Sequence, residues 1–339
     1  MPIRCKKVSM SADGRSPVNS IEVLALYGPH VRELDIVVPT FYAFSQDVLG
    51  ALATALPACV RLEAFTFRLS GGYSVCLQSF LDAFTSIGPK LRHLDLQLNW
   101  QDASLVEAAR HCLAHAKDVV SLSVRLESVP SSRAIGDPDF PPLRGSDRLI
   151  ELHIPSRAYL PAGSTAPALR KLHIEFFDRS DLTRLASVLG DSLESLVFDL
   201  WTSEAPIFAE PKILLPKLHA VQYNSVRLPT FFFTDVLHAD TPLETVHLRG
   251  KLLFDCPETI YGLQRLLLKQ TRRVLKRVTI AETCGTDHQF GADEETACTV
   301  GALSQIKEVF DTSFSAAHEW AKDEGIEMVV ALTHGLTIA

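Results

Sequence analysis

The sequence predicts an α/β solenoid, in which one short strand per repeat stacks into a parallel sheet and helices or extended turns cover its other side. Three observations predict this fold. A hexamer with apolar residues at its first, fourth and sixth positions recurs ten times along the chain. The hexamers follow one another at intervals that average about 27 residues, a period typical of stacked repeats. Between several of them, apolar residues recur at helical spacing.

The hexamers predict the strands. Alternate residues of a strand point to opposite faces, so the last two apolar positions face a core and the residues between and after them face solvent. A single repeat cannot bury its own apolar face, and stacking the repeats makes a continuous core. The hexamers begin at Val31, Leu62, Leu91, Val119, Leu149, Leu169, Leu193, Leu218, Leu243 and Leu275.

The segments between the strands predict two kinds of connection. Apolar periodicity indicates helices over Gln46 to Leu56, Leu77 to Ile87 and Ser104 to Ala116. The repeats that begin at Leu149, Leu193 and Leu218 are short and rich in Pro, Gly and Ser, which favours extended turns. Together these features are typical of a leucine-rich-repeat horseshoe, with a curved parallel sheet on the concave face and helices or turns on the convex face.

We expect one repeat domain with short flanking segments. Residues 1–17 form a flexible N-terminal segment, residues 18–332 a single irregular domain of about ten to eleven repeats, and residues 333–339 a tail. A helix over Val18 to Tyr27 caps the array at one end. A helix over Val300 to Ala321 and the strand IEMVVAL close it at the other. The loop from Pro130 to Asp147 lies within the domain, because the repeat resumes directly after it.

Composition excludes several classes of function. Hydrophobic residues make up 47% and charged residues 22% of the 339 positions, as in folded soluble proteins. The net charge of -7 disfavours nucleic acid and anionic membrane surfaces as partners. The sequence shows neither a signal peptide nor an apolar membrane span, and its seven scattered cysteines form no CxxC pair. We expect a cytoplasmic or nuclear protein with reduced thiols.

The outward strand positions predict a polar surface for a protein or peptide ligand. Ten strands about 4.8 Å apart give a surface roughly 45 Å long, enough for the roughly 800 Å² that each partner buries in a standard interface. A middle column of outward residues runs from Asp35 to Thr279, and a second column runs from Val37 to Ala281. The candidate binding residues on these columns and the rim are Arg68, Asp95, Gln97, Trp100, Arg125, His153, His173, Glu175, Trp201, Asn224, His247 and Arg249.

Two pairs of candidates have two interpretations each. His153 and His173 fall on consecutive strands of the middle column, where they either begin a metal site or lie solvated on a polar sheet. We favour the second interpretation. Trp100 and Trp201 each follow a strand, where an exposed tryptophan anchors a ligand and a buried one covers the end of the core. Phe176 and Phe177 have the same two interpretations.

The standard local signatures of enzymes are absent from the sequence, so we expect no enzymatic activity and no cofactor. His111 and His115 have the i, i+4 spacing of zinc ligands, but no general base lies between them and we interpret them as structural. Cys284 and His288 share an acidic loop, where we expect no catalytic pair. The basic cluster from Lys269 to Arg277 lacks the interleaved aromatics of a nucleic-acid site.

The repeats LRHLDLQLN, ALRKLHIEF and PLETVHLRG, their varied intervals and the ending EWAKDEGIEMVV resemble the leucine-rich-repeat region of fungal F-box-like proteins, over roughly residues 18–332. The resemblance implies a substrate receptor, because in that family an F-box docks on a Skp-type adaptor of a cullin ubiquitin ligase while the repeats capture the substrate. Residues 1–17 hold no F-box pattern, and Asn99 alone occupies the position where regular repeats carry an asparagine ladder. The alternative is a leucine-rich-repeat scaffold or regulatory protein unrelated to ubiquitin.

Overall fold

The computed structural model shows two compact units, residues 1–173 and residues 174–339. It describes residues 7–11, 17–38, 46–69, 78–99, 111–127, 147–154, 166–177, 191–201, 212–224, 232–233, 237–250, 264–265, 274–284, 315 and 318–334. Within these ranges, no helix is both long and apolar enough to cross a membrane.

In the described parts of the chain, twelve strands form one open sheet, and their order along the sheet is their order in the chain. Every pairing described between neighbouring strands is parallel. This architecture confirms the predicted α/β class and the stacked parallel sheet. The strands are β1 (Lys7–Ser11), β2 (Glu33–Val38), β3 (Ala64–Leu69), β4 (His93–Asn99), β5 (Ser121–Glu127), β6 (Glu151–Ile154), β7 (Lys171–Phe177), β8 (Ser195–Trp201), β9 (Ala220–Tyr223), β10 (Thr245–Gly250), β11 (Arg277–Cys284) and β12 (Glu327–His334).

Three helices of the first unit connect its early strands: α1 (Pro17–Tyr27), α2 (Gln46–Ala55) and α3 (Gln78–Ile87). A 3₁₀ turn with proline at its second position follows each helix directly, at Gly28–His30, Leu56–Ala58 and Gly88–Lys90. Proline has no amide hydrogen to continue the helical ladder, so it helps to end each helix at the same point of the repeat. The three helices agree with the predicted ones to within one residue at each end. Residues 111–115 are helical as well, inside the fourth predicted helix.

Strand β1 lies within residues 1–17, ahead of the ten hexamers that predict strands. It pairs in parallel with β2, with Val8 opposite Leu34 and Met10 opposite Ile36. Val8 and Met10 are buried, so β1 covers the apolar edge that β2 would otherwise leave open. The hexamer CKKVSM follows the repeat pattern, with Cys5 at its first apolar position, and would have revealed this strand.

A repeated backbone contact joins successive repeats. The carbonyl oxygen of the second hexamer residue accepts hydrogen bonds from two consecutive amides of the next repeat, as Arg32 does from Glu63 at 2.8 Å and Ala64 at 2.9 Å. The contact satisfies the amide just before each strand and the amide of the first strand residue. The carbonyls that accept in this way belong to Arg32, Glu63, Arg92, Val120 and Ile150 in the first unit and to Glu194, His219 and Glu244 in the second.

Aromatic rings fill the core of the first unit between β3 and α3. Phe67 and Phe80 stack with ring centroids 4.9 Å apart, and Phe65 lies 5.9 Å from Phe84. All four rings are almost completely buried. The inward side chains of the strands therefore face the helices, and the outward side chains lie on the opposite face of the sheet.

The second unit has its own aromatic core and a closing strand. Phe198 on β8 packs against Tyr223 on β9 at 4.8 Å and against Phe232 at 5.0 Å between ring centroids. Near the carboxyl end, residues 318–323 are helical, and Gly325 follows with φ of 70°. The predicted closing strand is confirmed as β12, which pairs with β11.

Candidate protein-binding surface

The polar face is the surface that two columns of outward side chains form on strands β2 to β6. The register aligns Asp35, Thr66, Asp95, Ser123 and His153 across these strands, as the middle column predicts. The second column aligns Val37, Arg68, Gln97 and Arg125 on β2 to β5. Among these residues Arg125 is exposed and the others are half-buried, while the residues before and after them on each strand are buried wherever their side chains are described.

Asp95 lies between two arginines of the polar face. Its Oδ2 is 3.7 Å from Nη2 of Arg68 on β3, and its Oδ1 is 3.9 Å from Nε of Arg125 on β5. The side chain of Asp95 is 22% exposed, against 41% for Arg68 and 45% for Arg125, so the arginines partly cover the carboxylate. The Nε of Arg125 also donates a hydrogen bond to the Ser123 hydroxyl at 3.3 Å.

On strands β2 to β4 of this face, Asp35 Oδ1, Arg68 Nε and Asp95 Oδ1 are buried without a hydrogen-bond partner among the described residues. They belong to three neighbouring strands. Most buried polar groups in proteins are hydrogen-bonded, and each unpaired one costs about 1–3 kcal/mol. The polar face therefore holds buried donors and acceptors that the described residues do not satisfy.

The histidine pair at the end of this column forms a ring stack. The imidazoles of His153 and His173 have centroids 3.8 Å apart and planes within 15° of parallel. The lone pairs of an imidazole lie in its ring plane, so two stacked rings do not aim them at one metal ion. Beside the stack, Lys171 Nζ and Glu151 Oε1 form an exposed ion pair at 2.6 Å. This geometry favours two polar side chains on a sheet over the metal-site interpretation.

His111 and His115 are tied to the backbone. Nε2 of His111 donates to the carbonyl of Leu81 at 3.1 Å, and Nδ1 of His115 donates to the carbonyl of His111 at 2.8 Å. Each ring is thus held by a hydrogen bond to a backbone carbonyl, which supports the structural interpretation. The part of the chain that the structure describes contains no group of three or more His, Cys, Asp or Glu residues suited to hold a metal ion.

The corresponding columns of the second unit form a bonded network. Gln222 Nε2 donates to Asn224 Oδ1 at 2.7 Å, and Asn224 Nδ2 donates to Asp199 Oδ1 at 2.8 Å. His247 follows Gln222 in the middle column of this unit. These side chains of β8, of β9 and of the residue after β9 hydrogen-bond to one another, in contrast with the atoms on β2 to β4 that have no hydrogen-bond partner among the described residues.

The remaining candidates are distributed as follows. Glu175 is half-buried on β7. The backbones of Trp201 and Arg249 lie in β8 and β10, but their side chains are outside the described part of the structure, as is the whole of Trp100. Cys284 ends β11, and His288 is outside the described residues.

The structure adds three residues to the candidates of the polar face: Asp35, Thr66 and Ser123. All three lie in register with Asp95 in the middle column. The hexamer pattern already predicts this column, so the position of the three residues in it was enough to name them as candidates.

The chain matches no model of a known protein family, and no curated protein matches it.

Proposed function

We propose that this protein is a non-enzymatic leucine-rich-repeat module that binds another protein or a peptide along its polar face. The observation that carries the proposal is the row of buried polar atoms on Asp35, Arg68 and Asp95 that have no hydrogen-bond partner among the described residues. A protein keeps such atoms at a cost in stability, and the cost is recovered when a ligand supplies the missing partners.

The leucine-rich-repeat assignment is supported by the ten hexamers and by their repeated backbone contact. In both units, the carbonyl of the second hexamer residue accepts from two amides of the next repeat. The apolar residues at the first, fourth and sixth positions of each hexamer are buried, as Leu91, Leu94 and Leu96 show for one repeat.

The shape of the ligand is indicated by the spacing of the strands. Each strand of the polar face presents one middle-column side chain, and neighbouring strands lie about 4.8 Å apart. Strands β2 to β6 therefore present a line of such side chains about 20 Å long. An extended peptide or the rim of a folded protein can contact several of them at once, whereas a small metabolite spans only one or two.

Photo-crosslinking tests whether this face binds a protein. A photoreactive amino acid replaces Thr66 on the polar face in one variant and Thr85, an exposed residue of α3, in a matched control. We expect discrete crosslinked proteins from the Thr66 position and none of the same proteins from the Thr85 position. Equal crosslinking from both positions, or crosslinking from Thr85 alone, would contradict the proposal.

A role as substrate receptor of an SCF-type ubiquitin ligase extends this proposal. Its support is the resemblance of the repeats to those of fungal F-box-like proteins. The role requires that the chain recruit a Skp-type adaptor and a cullin, by an F-box or by another contact. Affinity purification followed by mass spectrometry tests it: consistent recovery of both proteins supports the ligase role, and their consistent absence leaves the scaffold alternative.

A further inference from the structure

We infer that Arg68 and Arg125 form an anion-binding pair, which takes a carboxylate or phosphate group of a peptide ligand, and that Asp95 positions them. This inference rests on the proposed function, because it names the chemistry of the ligand for the same surface. It goes further by assigning separate roles to the three charged residues.

The register places the two arginines for a shared anion. Arg68 on β3 and Arg125 on β5 occupy the same column, with Gln97 of β4 between them. Their Cα atoms are therefore separated by two strand spacings, about 9.6 Å. Both side chains lean toward Asp95 on the intervening strand. Two long side chains at this separation can contact a single carboxylate or phosphate between them.

The contacts with Asp95 leave the arginines with donors to spare. The nitrogen–oxygen distances of 3.7 and 3.9 Å are ionic contacts, longer than the usual limit of about 3.2 Å for a hydrogen bond. An arginine has five N–H donors, and its planar fork matches carboxylate and phosphate oxygens. Arg68 Nε has no hydrogen-bond partner among the described residues.

The charges of the cluster favour an anion. Two guanidinium groups face one carboxylate, so the three residues together carry a net positive charge at neutral pH. A negatively charged ligand group completes the charge balance. The side chain of Asp95 is less exposed than either arginine, 22% against 41% and 45%, which suits a residue that holds the two arginines in place.

Fluorescence anisotropy with synthetic peptides tests the inference. The probes are labelled decapeptides that alternate glycine with glutamate, with phosphoserine, or with serine as the neutral reference. We expect the glutamate or the phosphoserine peptide to bind at least about tenfold more tightly than the neutral one, and the stronger of the two identifies the anion. Equal binding of all three peptides would overturn the inference.

Substitutions assign the binding to these residues. Arg68→Gln and Arg125→Gln should each weaken anionic-peptide binding about tenfold, the effect of losing one charge-assisted hydrogen bond. The matched control is Arg32→Gln, because Arg32 is an exposed arginine that pairs with Glu63 outside the polar face. Affinity that falls equally in the control would overturn the assignment. Circular dichroism of each variant verifies that it is folded.

The positioning role of Asp95 is tested by the affinity of the Asp95→Asn variant for the anionic peptide. Asp95→Asn removes a negative charge near the anion, so a purely electrostatic role predicts tighter binding. A positioning role predicts weaker binding, about threefold or more, because the arginines lose the group that holds them. Tighter binding by Asp95→Asn would refute the positioning role.

If the anionic peptides bind no more tightly than the neutral peptide while crosslinking from Thr66 persists, the inference fails and the proposed function stands. Loss of that crosslinking contradicts the proposed function itself.

Discussion

Arg32 and Glu63 are joined twice, once through the backbone and once through their side chains. The Arg32 carbonyl accepts the Glu63 amide at 2.8 Å, and Arg32 Nη1 lies 3.3 Å from Glu63 Oε1. Glu244 and Lys276 repeat this double contact in the second unit, where the hydrogen bond from Lys276 lowers the pKa of the Glu244 carboxyl. The two side-chain pairs and the two backbone contacts occupy the same hexamer position.

The backbone contact contributes most of this stabilisation, and the side-chain pair contributes little. The Arg32 and Glu63 side chains are 51% and 45% exposed, and exposed ion pairs contribute only about 0–1 kcal/mol. We therefore expect Arg32→Gln to lower the free energy of unfolding by less than about 0.5 kcal/mol. Urea unfolding with and without 1 M salt checks this expectation. A loss above about 2 kcal/mol would show that the side chains hold the repeats together.

Gly88→Ala should destabilise the first unit. A Cβ at Gly88 would lie 2.9 Å from Cε1 of Phe84 and 3.1 Å from Cβ of His115. Phe84 is completely buried among other rings and cannot move aside, so overpacking should cost about 1–3 kcal/mol. The matched control is Gly50→Ala in α2, where a Cβ meets no atom within 4 Å. Alanine should stabilise that helix by about 0.5–1 kcal/mol. Urea midpoints that fall equally for both variants would contradict this account.

Gly325→Ala should destabilise the second unit through backbone conformation alone. Gly325 has φ of 70°, and no atom lies within 4 Å of the position its Cβ would take. The amide of Ile326 donates to the Ala321 carbonyl at 2.7 Å and that of Gly325 to the Lys322 carbonyl at 3.1 Å, which is the Schellman end of a helix.

Alanine in that left-handed conformation should cost about 1–2 kcal/mol. Gly325→Asn should cost less, because asparagine tolerates the left-handed region better than alanine does. Thermal unfolding of the three proteins measures the order of stability. A Gly325→Ala variant as stable as the wild type would show that the helix ends differently.

Cys59 and Cys112 should resist alkylation in the native protein. Burial raises the pKa of the Cys59 thiol to about 11 and raises the pKa of the Cys112 thiol far above its ordinary value. The thiolate is the reactive form, so at pH 8 both thiols stay protonated and shielded. Iodoacetamide labelling followed by peptide mass spectrometry should modify both residues in urea and neither without it. Rapid native labelling of Cys112 would show that its site opens readily.

Hexamer spacing was sufficient to predict ten of the described strands, and the same repeat pattern determines which of their residues align. Asp35, Thr66 and Asp95 lie in register for this reason. Strand β1 escaped prediction because a cysteine replaces the leucine of its hexamer and lysines surround it. The pattern thus predicts strand register well and overlooks an end strand in which cysteine takes the place of the first leucine or valine.

The contacts of individual side chains could not be read from the sequence. Column positions place Arg68 and Arg125 on either side of Asp95, but whether their guanidinium groups approach it depends on rotamers. Likewise, the His111 ring bonds the Leu81 carbonyl thirty positions away, a contact set by how two repeats stack. The sequence therefore predicts the polar surface, and the structure shows which of its buried polar atoms have no hydrogen-bond partner among the described residues.

The central claim is tested most directly with a partner protein identified by crosslinking from Thr66. Its dissociation constant is measured with the wild type and with two matched serine variants of this chain. Ser123→Tyr adds bulk to the polar face, and Ser79→Tyr adds the same bulk to an exposed position of α3. We predict that Ser123→Tyr raises the dissociation constant at least about tenfold, or about 1.4 kcal/mol, while Ser79→Tyr leaves it within about twofold. An unchanged dissociation constant for Ser123→Tyr, or a larger loss for Ser79→Tyr, would contradict binding through the polar face.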